Sequence, residues 1–244
     1  MKNSNRIILS EIKILMTLKF TAYFFILLLT DFLLYPGISL SAEEGNPEHW
    51  CRNGFFPSDA RSDVYGIIKK SNANKSFFYK DDDGCPFPNS KCRKKSYLVP
   101  DDSILIANEY KGFVCAWYTS KKGRETVGWI PKSQIEFKKT SLLSITDWTG
   151  TWTFYDSEIV IVKSEDGKLS ITGTAFWGTG MSVHTGELDI TEMPVENTIA
   201  NKVPDEYDCG VRLRLVNNLM IVNDNKNCGG MNVSFDGVYI RKNN

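Results

Sequence analysis

Residues 103–130 read SILIANEYKGFVCAWYTSKKGRETVGWI, and this stretch carries the clearest structural signal in the chain. It contains three short runs of β-branched, aromatic and other apolar residues, at 103–107, 113–118 and 126–130. The turn signals Lys111-Gly112 and Lys122-Gly123 separate these runs. Short apolar runs between glycine-containing turns predict antiparallel strands rather than helices.

The same pattern continues to the C-terminus. Further runs of this kind lie at 158–162, 168–172, 210–216, 218–222 and 237–241. Asp166-Gly167 and Asn217-Asn218 supply turn signals between them. After residue 41, no long window shows the 3.6-residue period of an amphipathic helix. Many short strands with few helices predict an all-β protein built from small barrels.

Charge divides the chain into two halves. Residues 42–140 carry 17 Lys and Arg against 13 Asp and Glu, whereas residues 141–244 carry 8 against 14. About 200 residues are enough for two small domains. The polar stretch at 138–141 marks the expected join. We therefore predict one β-barrel domain over 42–140 and a second over 141–244.

The N-terminal segment predicts export. An apolar run at residues 20–29 follows two lysines, and the breaker pair Pro36-Gly37 and small residues at 39 and 41 come after it. This is the pattern of a secretory signal peptide, expected over residues 1–41. Two alternatives stay open: an uncleaved anchor, which would make the membrane a partner, and a true start at Met16.

All six cysteines lie downstream of this segment, at positions 51, 85, 92, 115, 209 and 228. An even set of cysteines after a signal peptide is typical of disulfides that form in an oxidising compartment. We expect a periplasmic or secreted protein.

The first half resembles a known family. Residues 97–106, 112–118 and 126–130 resemble bacterial SH3-like domains, with the likeness covering about 62–137. In that family a proline-acidic turn opens a strand, an aromatic strand follows, and a Gly-Trp strand closes the barrel. Family members usually carry glycine where Asp102 stands. The resemblance implies a small barrel that binds an extended peptide, often of the cell wall, across an aromatic groove.

The candidate ligand-binding aromatics are Tyr79, Tyr110, Trp117, Tyr118 and Trp129. For Trp117 and Trp129 the alternative is a place in the core.

Cysteine spacing in the first half favours one pairing. Cys85 and Cys92 enclose only six residues and form a natural local pair. Cys51 then pairs with Cys115 and joins the N-terminal arm to a central strand. Four cysteines allow three pairings, and this is the one that we expect.

The second half resembles another family at its two ends. Trp148-Thr149-Gly150-Thr151-Trp152 opens it and residues 235–241, FDGVYIR, close it. This looks like the calycin and lipocalin-like barrel pattern. The resemblance implies that Gly150 and Trp152 lie on the first strand, with Arg241 of the last strand stacked on the indole as a barrel cap.

A hairpin is expected around Asn217-Asn218. With a two-residue turn there, Val211 faces Asp224 and Cys209 faces Lys226, which brings Cys228 within disulfide reach of Cys209. Arg212 and Arg214 alternate with apolar residues on the opposite face of the first strand. They either pair with acidic residues of neighbouring strands or form an anion-recognising, ligand-binding face.

The sequence does not favour catalysis. The chain has two histidines, His49 and His184, and all six cysteines are expected to be paired. No nucleophile–base or metal-ligand spacing stands out, so we predict no enzyme activity, no cofactor and no metal site. Export and the absence of net positive charge argue against nucleic acid as a partner.

Binding functions remain. The expected one is that of an exported, non-catalytic envelope protein that holds cell-wall peptide or a protein partner with its SH3-like domain. The alternatives are a secreted or periplasmic inhibitor of a lysozyme-like enzyme or toxin, and a binder of a small apolar ligand in the C-terminal barrel. The basic run at 91–95 suits either a solvated loop or the steering of an anionic partner.

Overall fold

The computed structural model describes residues 49–70, 74–82, 84–120, 123–180, 182–203, 205 and 207–242. The predicted signal segment at 1–41 lies outside the described residues. Both sheets of the protein belong to one compact unit. The chain is all-β, as the strand patterns predict.

The first half forms a seven-stranded antiparallel sheet. Its strands are β1 Val64–Ile68, β2 Ser76–Tyr79, β3 Arg93–Leu98, β4 Ser103–Tyr110, β5 Phe113–Thr119, β6 Glu125–Pro131 and β7 Ile135–Lys139. They follow the order β3-β2-β6-β5-β4-β1-β7, and a 3-10 turn at Lys132–Gln134 leads into β7. Ile68, Phe78 and Leu98 are among the side chains of its inner core. A short helix α1, Phe56–Asp59, precedes β1.

The second half forms an eight-stranded antiparallel sheet. Its strands are β8 Gly150–Phe154, β9 Ser157–Lys163, β10 Leu169–Trp177, β11 His184–Glu192, β12 Thr198–Ala200, β13 Val211–Val216, β14 Leu219–Asp224 and β15 Gly237–Arg241. Sequential strands are neighbours except β11 and β12, and the first strand, β8, pairs with the last, β15. In this order the sheet is open between β11 and β12. The helix α2, Ile145–Trp148, leads into β8.

The segment after β14 covers this opening and nearly closes the barrel. Gly229 makes a β-bridge to Gly186 of β11, and Cys228 is bonded to Cys209, just before β13. The two glycines are needed because the chains touch. A Cβ built on Gly186 lies 2.3 Å from the Cys228 carbonyl oxygen, and one on Gly229 lies 2.6 Å from the Gly186 Cα.

The interior of this barrel is filled by side chains. Trp148, Trp152, Leu213, Phe235 and Tyr239 are among the members of one continuous buried cluster. The predicted cap is present, since the Arg241 guanidinium lies 4.6 Å from the centre of the Trp152 ring. Arg241 also donates to the Asp147 carbonyl, and its side chain lies 3.9 Å from a Cβ built on Gly150.

The three disulfides are those predicted from the spacing. Cys51–Cys115 and Cys85–Cys92 lie in the first half, and Cys209–Cys228 in the second. The hairpin register is also the predicted one, with Val211 opposite Asp224. Three disulfides are typical of a protein that matures in an oxidising, extracellular environment.

The two sheets share a core, and the N-terminal arm, residues 49–61, builds it. Phe56 and Ala60 of the arm are buried with Trp117 of the first sheet and with Ile221 and Val238 of the second. The arm is held to the first sheet by Cys51–Cys115. Asp81 adds an ion pair of 3.1 Å with Arg52 and accepts a hydrogen bond from the Cys51 amide.

Asp102 closes the turn before β4. Its carboxylate accepts hydrogen bonds from the Val99 amide, at 2.8 Å, and from the Tyr118 hydroxyl, at 3.2 Å. A side chain that bonds its own turn is a common use of aspartate. Tyr118 is therefore tied to the turn that precedes β4.

Candidate functional site

A cleft of about 340 Å³ lies between the two sheets and beside the N-terminal arm. Its walls combine aromatic and apolar side chains with a few charged groups. The residues that line it are Asn53, Gly54 and Pro57 of the arm, Trp117 and Glu125 of the first sheet, and Phe154, Tyr155, Lys226, Ser234, Asp236, Gly237 and Val238 of the second half. A volume of this size is at the lower end for small-ligand pockets.

The first wall comes from β5 and β6. Thr119 pairs with Glu125 and Trp117 with Val127, so Trp117 and Glu125 are diagonal neighbours on one face of the sheet. Trp117 is only 3% exposed, and its indole N–H acts to lower the pKa of the Glu125 carboxyl. Both side chains line the cleft.

The facing wall ends in a tyrosine at a hairpin turn. Tyr155 lies in the two-residue turn after Phe154 and has a left-handed backbone, with φ of +49°. Its ring contacts Phe154 edge-on at 4.7 Å, and its hydroxyl donates to Glu125 Oε2 at 3.2 Å. Asparagine or glycine is the usual residue at such a position, because a larger side chain is strained there by about 1 kcal/mol. An exposed tyrosine in this conformation therefore points to a role beyond the turn.

Glu125 is half-buried, and this sets its electrostatics. Burial raises the pKa of Glu125 above its ordinary value, and the hydrogen bonds from Tyr155 and Trp117 oppose that rise. Among the described residues no cation forms an ion pair with it. Its described hydrogen-bond partners are both neutral.

The other charged end of the cleft is already balanced. Lys226 donates to Ser234 Oγ at 2.8 Å and to Asp236, and its Nζ lies 3.4 Å from Asp224 Oδ1. Burial lowers the pKa of Lys226, but its bonds to Asp236 and Asp224 outweigh this and raise it overall. The cation is therefore neutralised by two carboxylates, and the cleft as a whole carries excess negative charge.

The aromatic residues predicted as one groove do not lie together on an open surface. Trp129 is 0% exposed and belongs to the core, which is the alternative interpretation of its sequence context. The Tyr79 ring packs edge-on against Phe113, with the two ring centres 5.1 Å apart. Tyr110 is covered by the arm, since its ring stacks on His49 at 4.0 Å. Of the predicted groove residues, only Trp117 lines the cleft.

The predicted arginine face is divided by burial. Arg212 is exposed, whereas Arg214 is only 6% exposed because the arm lies over it. Arg214 does not make the expected ion pair with an acidic residue of a neighbouring strand. It donates instead to the carbonyls of Ala60 and Pro57 and, at 2.6 Å, to Asn223 Oδ1.

The Arg214 guanidinium is an anchor of the arm rather than a free cation. Burial lowers the pKa of Arg214 to about 10, with a smaller contribution from the charge on Arg212. The guanidinium is used to anchor the arm and is covered by it. Arg212 and Arg214 therefore do not form a joint anion-binding face.

The basic run at 91–95 forms part of an edge strand. Arg93 lies 4.7 Å from the centre of the Phe77 ring, and Lys75 lies 4.4 Å from that of Tyr97. Lys94 turns inward and donates to the Val127 carbonyl at 2.9 Å, and burial lowers its pKa. Charged side chains on an edge strand protect it from pairing with other chains, which accounts for this run without a ligand.

Sequence reasoning missed most of the cleft. Glu125, Phe154, Tyr155 and Lys226 were not predicted as site residues, because they come from both halves of the chain. The one usable signal was the Tyr155-Asp156 turn, where a bulky aromatic residue occupies a position that favours small or polar residues.

Comparison with protein-family models, with curated proteins and with solved structures finds no match to this chain. The SH3-like and calycin-like resemblances therefore rest on the quoted residues alone and stay predictions. The helices in the described part of the chain are too short or too polar to cross a bilayer.

Proposed function

We propose that this chain is an exported, non-catalytic binding protein of the cell envelope, which holds a peptide of the cell wall or of a protein partner in the cleft between its two sheets. The observation that carries the proposal is the meeting of Trp117 and Glu125 of one sheet with Phe154 and Tyr155 of the other around one cavity. Aromatic walls with a few fixed polar groups are the usual composition of a ligand site.

The proposal moves the binding site from an SH3-like groove to the junction of the two halves. Disulfides on both sides of that junction support a rigid, pre-formed site that loses little entropy when a ligand binds. Export is supported by the same three disulfides. The choice of a periplasmic or secreted location is part of the proposal.

The test is retention of the exported, oxidised protein on purified peptidoglycan and on peptides released from it. Tyr155→Ala is compared with Tyr207→Ala, because both tyrosines are 78% exposed and only Tyr155 lines the cleft. We expect Tyr155→Ala to lose retention and Tyr207→Ala to keep it. Equal retention of both variants, or no retention of the wild type on either material, would contradict the proposal.

The two alternatives have their own outcomes. Protection of a muramidase substrate without retention on the wall would favour the inhibitor. The filled interior of the second barrel does not favour the apolar-ligand alternative. Displacement of an apolar fluorescent dye by fatty acids would nevertheless support it.

A further inference from the structure

The charge on Glu125 lacks a counter-charge among the described residues. Its described partners, Trp117 and Tyr155, are neutral donors. A carboxylate has about four acceptor positions, and two donors leave part of that capacity unused. A half-buried carboxylate without a cation is unfavourable, and a positively charged ligand group relieves that cost.

The surroundings of Glu125 also favour a cation. Trp117, Phe154 and Tyr155 line the same cleft, and the faces of aromatic rings attract ammonium and guanidinium groups. An aromatic enclosure that ends in a carboxylate is therefore suited to a positively charged side chain whose stem is apolar.

The rest of the cleft does not offer an anion the same support. Lys226 is engaged by Asp224 and Asp236, so an incoming carboxylate or phosphate meets the carboxylates of Glu125 and Asp236 and one neutralised cation. A neutral ligand leaves the Glu125 charge without compensation. Of the three ligand classes, only a cationic one improves the charge balance of the cleft.

We infer that the cleft recognises a cationic group of a bound peptide, a lysine ammonium, an arginine guanidinium or a free amino terminus, with Glu125 as its counter-ion and Trp117, Phe154 and Tyr155 as its aromatic enclosure. This inference rests on the proposed function, since it names the ligand class of the same cleft.

The experiment uses three acetylated and amidated tripeptides, Ala-Lys-Ala, Ala-norleucine-Ala and Ala-Glu-Ala. They have similar length, and norleucine keeps the apolar stem of lysine without its charge. Binding to the full exported protein is followed by the indole N–H resonances, because the Trp117 indole lies at the site. We expect the lysine peptide to bind about tenfold tighter than the norleucine peptide at low salt, and this preference to shrink as ionic strength rises.

Glu125→Gln is the informative variant, because glutamine keeps an oxygen acceptor and removes the charge. We expect it to abolish the preference for the lysine peptide over the norleucine peptide. Glu136→Gln is the matched control, since Glu136 is exposed on β7 and does not line the cleft. Circular dichroism checks that the variant is folded. The salt dependence of the wild type tests the role of charge without any substitution.

The outcomes separate the two proposals. Equal binding of the lysine and norleucine peptides, or a preference for the glutamate peptide, overturns the cationic ligand and leaves a peptide-binding cleft. Failure of all three peptides and of peptidoglycan fragments to move the Trp117 resonance overturns both.

Discussion

Tyr155, in a hairpin turn of the second barrel, donates a hydrogen bond of 3.2 Å to Glu125 at the start of a strand in the first sheet. The two residues lie 30 positions apart in sequence and belong to different halves of the chain. Their contact joins the walls of the cleft and couples the half-buried acid to an exposed aromatic ring.

The pH dependence of stability reports on Glu125. Because burial raises its pKa in the folded protein, the folded state binds this proton more tightly than the unfolded state. Stability from this residue is therefore greatest at low pH and falls as pH rises from about 4, the unfolded value, through the higher folded pKa. We expect Glu125→Gln to melt at a higher temperature than the wild type at pH 7, with the difference disappearing towards pH 4. Thermal melts across this range measure it, and a difference that grows on acidification would contradict the assignment.

Arg214 is expected to be a main anchor of the arm. Arg214→Ala leaves the carbonyls of Pro57 and Ala60 without their described partner under the arm, and we expect a loss of about 3 kcal/mol in the free energy of unfolding. Arg212→Ala, on the exposed neighbour, should change stability by no more than about 0.5 kcal/mol. Urea unfolding of both variants makes the comparison. Similar small losses in both would show that the arm is held by its apolar contacts alone.

The disulfide of the arm should contribute more than the local one. Cys51–Cys115 spans 64 positions and Cys85–Cys92 only 7, so the chain-entropy argument gives about 4 and about 2.5 kcal/mol. We expect the double alanine variant at 51 and 115 to lose more stability than that at 85 and 92. Hydrogen exchange should also become faster at the amides of residues 51–61 in the first variant only. Equal exchange in both would place the anchoring of the arm elsewhere.

Closure of the barrel in the second half of the chain depends on two glycines, Gly186 and Gly229. Gly186→Ala places a methyl group against the Cys228 carbonyl, and relief requires the backbone to move. We expect a loss of about 1–3 kcal/mol, typical of overpacking. Gly54→Ala is the control, since a Cβ there meets nothing within 4 Å. Denaturant unfolding of both variants measures the two changes in stability. A Gly186→Ala variant as stable as the wild type would mean that the segment after β14 can shift freely.

Much of the fold was predictable from local patterns. The alternation of Val211, Leu213 and Leu215 gives the inward face of β13, and the Asn217-Asn218 turn gives its register with β14. The disulfide Cys209–Cys228 follows from that register. These features depend on residues that are neighbours in sequence or across one hairpin, where side-chain alternation and turn chemistry act directly.

The arm covers the outer face of β14, and the sequence of the strand contains only a weak signal of this cover. Met220 and Val222 point into the barrel, but Ile221 between them is buried as well, under the arm. A continuous apolar run of this kind is typical of a strand covered on both faces. The run therefore indicates that something covers the strand, but it does not identify the arm as the cover.

The sequence by itself determined the all-β class, the two sheets, the disulfide pairing and the register of the central hairpin. The tertiary structure alone decided that Arg214 is buried, that Trp129 belongs to the core, and that Glu125 meets Tyr155 across a cleft. The reason is physical: strand patterns and turns depend on nearby residues, whereas the burial of a charge depends on which distant segment lies over it. Here that segment is the arm, and the cleft exists because the arm packs the two sheets together.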